Sequence, residues 1–301
     1  MAGTSRAFAD DKPPQKNVLL LIADDLGLQL GCYGDANART PNLDRFAGES
    51  ARFSNAFANV ASCSPSRATI LTGLHVHQNG QYGLAHAAHH QSTFDWVQSL
   101  PKLLNDAGYR TAILGKNHVQ PQAVYPYGEE LKPTEGTTRS PLGMSESAKA
   151  YFAQSSDKPF FLVVGFADPH RAKSRFANNE QSKDYETQKF DPAKLAVPVF
   201  LPDTPEVRDD VADYFQAISR LDEAAGRTLK ALEDAGHRDD TLVIFVSDNG
   251  MPFPGAKTNV YDASTRLPLI VRQPGAQGNV NSAMVSWIDV TPTILDWTGI
   301  K

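Results

Sequence analysis

Asn17-Val18-Leu19-Leu20-Leu21-Ile22-Ala23-Asp24-Asp25 decides the fold class. The apolar run is unbroken rather than alternating, as expected for a strand buried on both faces of a parallel sheet. It ends abruptly in two carboxylates. The design recurs: residues 111–114 run into Gly115-Lys116-Asn117-His118, 160–164 into Ala167-Asp168-Pro169-His170, and 242–246 into Ser247-Asp248-Asn249-Gly250. Residues 268–271 read as a further strand. Helical patterns lie between: one beginning at Thr40-Pro41 with Thr40 as N-cap, one over 97–104 stopped near Gly108, and one over 289–297. A long amphipathic helix carries Val211, Tyr214, Phe215, Ile218, Leu221, Ala225, Leu229 and Leu232 on one face. Strands alternating with helices predict an α/β fold whose mainly parallel sheet is sandwiched by helices.

In such a sheet the carboxyl ends of the strands open into one crevice. Asp24, Asp25, Lys116, His118, His170, Asp248 and Asn249 are therefore expected to meet there, although far apart in sequence. Residues 120–145 and 171–204 are polar and proline-punctuated, and read as long loops over that crevice. Trp96, Trp287, Trp297 and the phenylalanines read as core.

Composition narrows the function classes. The chain has 301 residues, 41% apolar and 21% charged, which suits a globular protein. The net charge of −5 is spread without basic blocks, so no nucleic-acid partner is indicated. No apolar run is long enough to span a membrane. Two cysteines, Cys32 and Cys63, are too few for a disulfide framework. Ala7-Phe8-Ala9 looks like the end of a signal peptide, within an N-terminal segment 1–16. No Asn-x-Ser/Thr sequon occurs, which points away from a glycosylated animal lysosomal protein and toward a periplasmic or secreted bacterial one.

Asp24, Asp25, Asp248 and Asn249 offer only oxygen donors, the set a hard cation prefers. Each pair alone would more often be a turn or a helix cap. Two such pairs, each closing an apolar strand, favour metal.

The most specific segment is Cys63-Ser64-Pro65-Ser66-Arg67-Ala68-Thr69-Ile70-Leu71-Thr72-Gly73. Taken alone, Cys63 is either a nucleophile activated at a helix start or a small buried residue. The whole string resembles the signature of the type I sulfatases, whose cysteine is oxidised to formylglycine by a dedicated maturation enzyme. The resemblance extends from Asn17 to Ile300. Within the sulfatases it is most similar to the heparan N-sulfatases, or sulfamidases, through residues 62–67, 77–84, His89-His90, Val124-Tyr125-Pro126-Tyr127 and 248–254. One departure is Lys257: animal sulfamidases carry arginine there, most sulfatases lysine.

The resemblance implies an alkaline-phosphatase-like fold, with residues 17–301 as the sulfatase catalytic domain. Family members continue with a smaller antiparallel-sheet domain, which is expected to be missing here. It implies calcium, with magnesium the weaker candidate, held by Asp24, Asp25, residue 63, Asp248 and Asn249. Formylglycine at Cys63 would be hydrated to a diol held by calcium and Arg67, and one hydroxyl, activated by a carboxylate such as Asp248, would attack sulfur. Lys116 and Lys257 would neutralise the sulfonate oxygens, His170 would protonate the leaving group, and His118 would take the proton that releases sulfate. The implied substrate is a sulfated sugar, N-sulfoglucosamine of heparan-type glycans first and 6-O-sulfated glucosamine or an aryl sulfate second. His86, His89 and His90 are candidate sugar contacts, whereas His75 and His77 are expected to support a helix.

Two rival readings share the scaffold. Phosphomonoester or phosphonate-ester hydrolysis would favour a serine or threonine nucleophile and two zinc ions with more histidine ligands. A non-catalytic glycan-binding relic would be expected to lose charged site residues. Cys63, Arg67 and the oxygen-rich set favour the sulfatase.

Overall fold

The computed structural model describes residues 16–86, 88–178 and 185–301. The Ala7-Phe8-Ala9 segment lies outside the described residues. In chain order the elements are β1 (Asn17–Ala23), α1 (Pro41–Gly48), β2 (Ala51–Phe57), α2 (Cys63–Thr72), α3 (Val76–Asn79), α4 (Leu100–Asp106), β3 (Arg110–Gly115) and β4 (Glu129–Leu131). They continue with α5 (Pro141–Phe152), β5 (Phe160–Gly165), α6 (Pro205–Asp234), β6 (Thr241–Ser247), α7 (Asp262–Thr265), β7 (Leu269–Arg272), β8 (Asn279–Ser286) and α8 (Val290–Thr298).

One sheet runs β4-β3-β5-β1-β6-β7-β2-β8. Only the two pairings of β7, with β6 and with β2, are antiparallel; the others are parallel. The expected class therefore holds, with one reversed strand. Residues of β1 alternate between two cores: Leu19, Leu21 and Ala23 face α1, α5 and α6, while Val18, Leu20 and Ile22 face α2, α4 and α8. Every residue of β1 and β6 is buried, which is why these strands show no polar alternation.

The four strands β3-β5-β1-β6 are consecutive and parallel, so their carboxyl ends lie side by side. Gly165 tightens this edge. A Cβ there would sit 2.1 Å from the Lys116 carbonyl, and its absence lets the Lys116 N–H reach the Gly165 carbonyl at 2.8 Å.

Several boundaries depart from the sequence reading. The helix expected over 97–104 begins at Leu100, because Ser99 caps it by accepting from the Lys102 N–H and Pro101 occupies its first turn. The supposed loop 120–145 contains β4 and the start of α5, capped by Ser140. β2 and β8 were invisible because they are polar and only partly buried, without an apolar run. Trp96 is 66% exposed rather than core, and Phe94 is 41% exposed beside it. Both cysteines are free.

Thr40 does occupy the N-cap of α1, but its hydroxyl does not cap. It accepts from the Gly31 N–H and donates to Asp44. The cap comes instead from Asp222 of α6, which accepts from the Asn42 and Leu43 N–H groups at 3.2 and 2.8 Å. A buried carboxylate thus ties two helices together through backbone donors that nothing else in α1 can satisfy. Burial pushes the Asp222 carboxyl up to about 6, partly offset by these hydrogen bonds.

Asp222→Ala should lower the unfolding free energy by about 1–2 kcal/mol, measured by urea denaturation. A carboxyl whose folded pKa is raised from 3.8 to about 6 stabilises the fold while protonated and loses that contribution as pH climbs between those values. The deficit of Asp222→Asn relative to the parent should therefore shrink from pH 4 to pH 6.

Candidate active site

Parallel pairing of β1 with β6, with Ala23 opposite Ser247, sets Asp24-Asp25 beside Asp248-Asn249. The turn after β1 is fixed from three sides. The Asp24 N–H donates to the Asp168 carbonyl, Ser247 Oγ accepts from the Leu26 N–H, and Asp248 Oδ1 accepts from the Asp25 N–H at 3.1 Å. Tyr214 of α6 completes it: its hydroxyl donates to the Asp25 carbonyl at 3.0 Å and accepts from the Gly27 N–H at 3.2 Å. Asp25, His118 and Thr258 all hold left-handed φ angles, 67°, 65° and 60°. Strained backbone of this kind persists where surrounding contacts over-determine it, and here all three positions border the site.

Cys63 is the first residue of α2, whose ten residues are all buried. Its Sγ lies 3.2 Å from Lys257 Nζ and 3.9 Å from Asp25 Oδ1. One helical turn on, Arg67 donates through Nε to Asp248 Oδ2 at 2.8 Å and through Nη1 to the Lys116 carbonyl at 2.9 Å. Lys116 Nζ sits 2.5 Å from Asp24 Oδ2, and Lys257 Nζ 2.6 Å from Asp25 Oδ1. His170 places Nε2 3.8 Å from Asp25 Oδ2. Its Nδ1 faces the Arg171 carbonyl at 2.5 Å, an acceptor only, so Nδ1 carries a proton.

All the residues singled out from sequence as catalytic or metal-binding thus converge. Asp24 and Asp25 each give one oxygen to a lysine, while their other oxygens have only longer ion-pair neighbours, Arg67 Nη2 at 4.0 Å and His170 Nε2 at 3.8 Å. Asp24 Oδ1, Asp25 Oδ2 and Asn249 Oδ1 are buried and find no hydrogen-bond donor among the described residues. The Asn249 amide nitrogen is committed to Asp25 Oδ1 and the Gly250 carbonyl, both acceptors, so the unpartnered atom is the oxygen. Buried acceptors left without donors are costly, and three of them on hard oxygen atoms fit a hard cation. Asp24, Asp25, Cys63 and His170 each offer a donor atom within 4.8 Å of the others. Asp248 differs from the expectation: each of its oxygens already accepts one hydrogen bond, so it orients Arg67 and Asp25 as well as offering remaining lone pairs.

Electrostatics separates the roles. Burial first, then Asp24, Asp248 and Asp25, pushes the Cys63 thiol far above its usual range. An unmodified thiol here is a poor nucleophile, which counts against plain cysteine catalysis. Burial alone would depress Lys116 and Lys257, but Asp24 and Asp25 hold both above the usual lysine range. His118 goes the other way: burial, then Lys116, Arg67 and His86, bring it down to about 3, so it is a neutral imidazole.

The support of His170 was missed in the sequence. Buried Arg220 of α6 grips Asp168 through Nε and Nη2 at 2.7 and 2.8 Å, and Arg139 bonds both Asp168 and the His170 carbonyl. An arginine on the buried face of an otherwise amphipathic helix was the available signal. Of the loop histidines, exposed His86 reaches the site, its ring 4.6 Å from that of His118; His89 and His90 stay exposed. His75 and His77 stack on each other at α3, the supporting place expected of them.

The model of the sulfatase family matches residues 16–300. The chain belongs to the sulfatase family. It is 44% identical to human N-sulphoglucosamine sulphohydrolase over 95% of its own length, and spans 61% of that relative. A solved structure from the metabolism of multiple glycosaminoglycans by Bacteroides thetaiotaomicron superposes with a TM-score of 0.77 at 24% identity, covering 95% of this chain and 73% of that one. A phosphonate monoester hydrolase of Silicibacter pomeroyi superposes with a TM-score of 0.74 at 20% identity, over 95% and 74% of the two chains. These solved structures establish the sulfatase fold. They do not choose its ester, because the scaffold also carries phosphonate chemistry.

Tyr214→Phe leaves the Gly27 N–H and the Asp25 carbonyl without their shared partner in a buried place. It should cost about 1–3 kcal/mol of unfolding free energy, measured by chemical denaturation.

Proposed function

We propose that the chain carries the catalytic site of a formylglycine-dependent sulfatase that hydrolyses the sulfamate of N-sulfoglucosamine in heparan-type sugars. The observation that carries this reading is the 44% identity to an N-sulphoglucosamine sulphohydrolase over nearly the whole chain, in a protein whose Cys63 lies against Lys257 and Asp25. In this reading Cys63 is matured to formylglycine by a formylglycine-generating enzyme, and Asp24, Asp25, Asp248, Asn249 and residue 63 hold calcium. The matured aldehyde hydrate and the cation would supply an oxygen nucleophile and a Lewis acid for the sulfonate oxygens.

The chain's own residues do the rest. Arg67, pinned by Asp248 and the Lys116 carbonyl, keeps Nη2 buried without a hydrogen bond, 4.0 Å from Asp24 Oδ1, a donor for an anionic oxygen. Lys116 and Lys257 point their ammonium groups at the same small volume, where fixed positive charge stabilises a transferring sulfonate without reorganisation. His170 directs Nε2 inward, 3.8 Å from Asp25 Oδ2, where a proton on it can pass to the departing amine nitrogen. His118, neutral and with both ring nitrogens unpartnered, accepts the proton whose loss frees sulfate.

A second reading is 6-O- or aryl-sulfate hydrolysis, favoured by Lys257 where animal sulfamidases carry arginine. An ammonium lacks the guanidinium's fork and contacts the sulfonate differently. The assay offers N-sulfoglucosamine, 6-O-sulfoglucosamine and an aryl sulfate to the chain made with its maturation enzyme, and compares kcat/KM for sulfate release. The sulfamate should be preferred; preference for an O-sulfate would transfer the assignment to the second reading. Mass spectrometry of the active protein should find formylglycine at position 63, and unmodified Cys63 in fully active material would refute the mechanism.

Calcium should raise the melting temperature of the parent chain and leave that of Asp25→Asn unchanged, because only the intact oxygen set binds it in the folded state. Two zinc ions per chain by elemental analysis would instead support a phosphatase.

A further inference from the structure

We propose that His86 is the second member of a proton relay: it takes from His118 the proton that His118 accepts in the site and delivers it to solvent. The inference rests on the reading above, in which His118 accepts a proton during release of sulfate.

His118 has no hydrogen-bond partner at either ring nitrogen among the described residues. Among the described residues, the ionisable groups that act on it most strongly are Lys116, Arg67, His86 and Asp248. The two cations have no lone pair to receive a proton. Asp248 points inward, held by Arg67 and the Asp25 N–H. That leaves His86, whose ring centroid is 4.6 Å away with the planes at 53°, and which is exposed where His118 is not.

The peptide carrying His86 is fixed to the site on two sides. The N–H of Ala85 donates to Oγ of Ser64, the neighbour of Cys63, at 3.0 Å. The Ala85 carbonyl accepts from Nε2 of Gln120, two residues beyond His118, at 2.7 Å, and Gln120 also holds the Gln91 carbonyl. His86 is thereby tied to both the first turn of α2 and the segment that presents His118. No hydrogen bond joins the two rings. Rotation of the exposed imidazole, a fast motion, or one bridging water brings their nitrogens into line.

The step is a proton transfer alone. The His118 imidazolium gives its ring N–H proton to the lone pair of a His86 ring nitrogen and returns to the neutral form. The His86 imidazolium then releases that proton to water or buffer. Lys116 and Arg67 drive the proton off His118, but both of its ring nitrogens are buried, so the proton needs a carrier to reach solvent.

The test is histidine-selective 15N NMR on the unmodified, metal-free full chain, reading exchange of the His118 ring proton with water, together with kcat and KM of the matured enzyme. His86→Ala and His86→Phe should each slow exchange and lower kcat by about tenfold or more, with KM unchanged, and free imidazole should restore both quantities in His86→Ala. Phenylalanine keeps the ring contact but has no nitrogen, so a merely structural role would leave it like the parent. Parent-like exchange in His86→Phe, or no rescue of His86→Ala by imidazole, would overturn the relay. Because exchange is read on the unmodified chain, it decides the relay whether or not the sulfamate is the substrate.

Discussion

Asp24, Asp25 and Asp248 are three carboxylates buried within one crevice, a concentration of charge that a protein interior does not tolerate uncompensated. Arg67, Lys116 and Lys257 supply three positive charges against them, from a helix, a strand end and a loop. The balance is zero before any ligand enters. A divalent cation on the three oxygens that lack hydrogen bonds would bring the site to a net charge of two positive, the sign an anionic ligand requires. The same charges and hydrogen bonds hold the left-handed backbone at Asp25, where Asp248, Tyr214 and Lys257 converge.

The rest of the fold serves that crevice. α6 reaches across one face of the sheet and contributes three separate supports: Tyr214 to the Asp25 backbone, Arg220 to Asp168, and Asp222 to the start of α1. The opposite face contributes α2, buried along its whole length, which delivers Cys63 and Arg67 one turn apart on the same side. Displacing either helix would therefore disturb the site before it unfolded the sheet. Stability and function are coupled through these few buried polar contacts.

The parts legible in the sequence were those whose burial is complete. β1, β3, β5 and β6 announce themselves because strands covered on both faces admit only apolar residues, and the polar residues after them mark where the sheet ends. The site followed from that pattern and from the Cys63–Gly73 string. β2 and β8 could not be read, since a half-covered or edge strand is as polar as a loop. Trp96 misled because apolar chemistry does not guarantee burial. The pairing of Asp168 with Arg220 was hidden for a different reason: it joins residues 52 positions apart through side chains alone, and no local pattern encodes it.

The choice between an S–N and an S–O bond lies outside the charge-balanced pocket, because the sulfonate presents the same three oxygens in both cases. It must be made on the side of the leaving group. In the proposed mechanism that side belongs to His170, whose ring is oriented by its own Nδ1 proton on the Arg171 carbonyl and whose backbone is held by Arg139. An amine leaves poorly as an anion and needs that proton, whereas an aryl oxygen departs with little help. Under the proposed mechanism, the bracing of the His170 segment by Asp168, Arg139 and Arg220 suits a leaving group that requires protonation. That is the property shared by a sugar amine and a sugar hydroxyl, and it is the reason an aryl sulfate fits this arrangement least well.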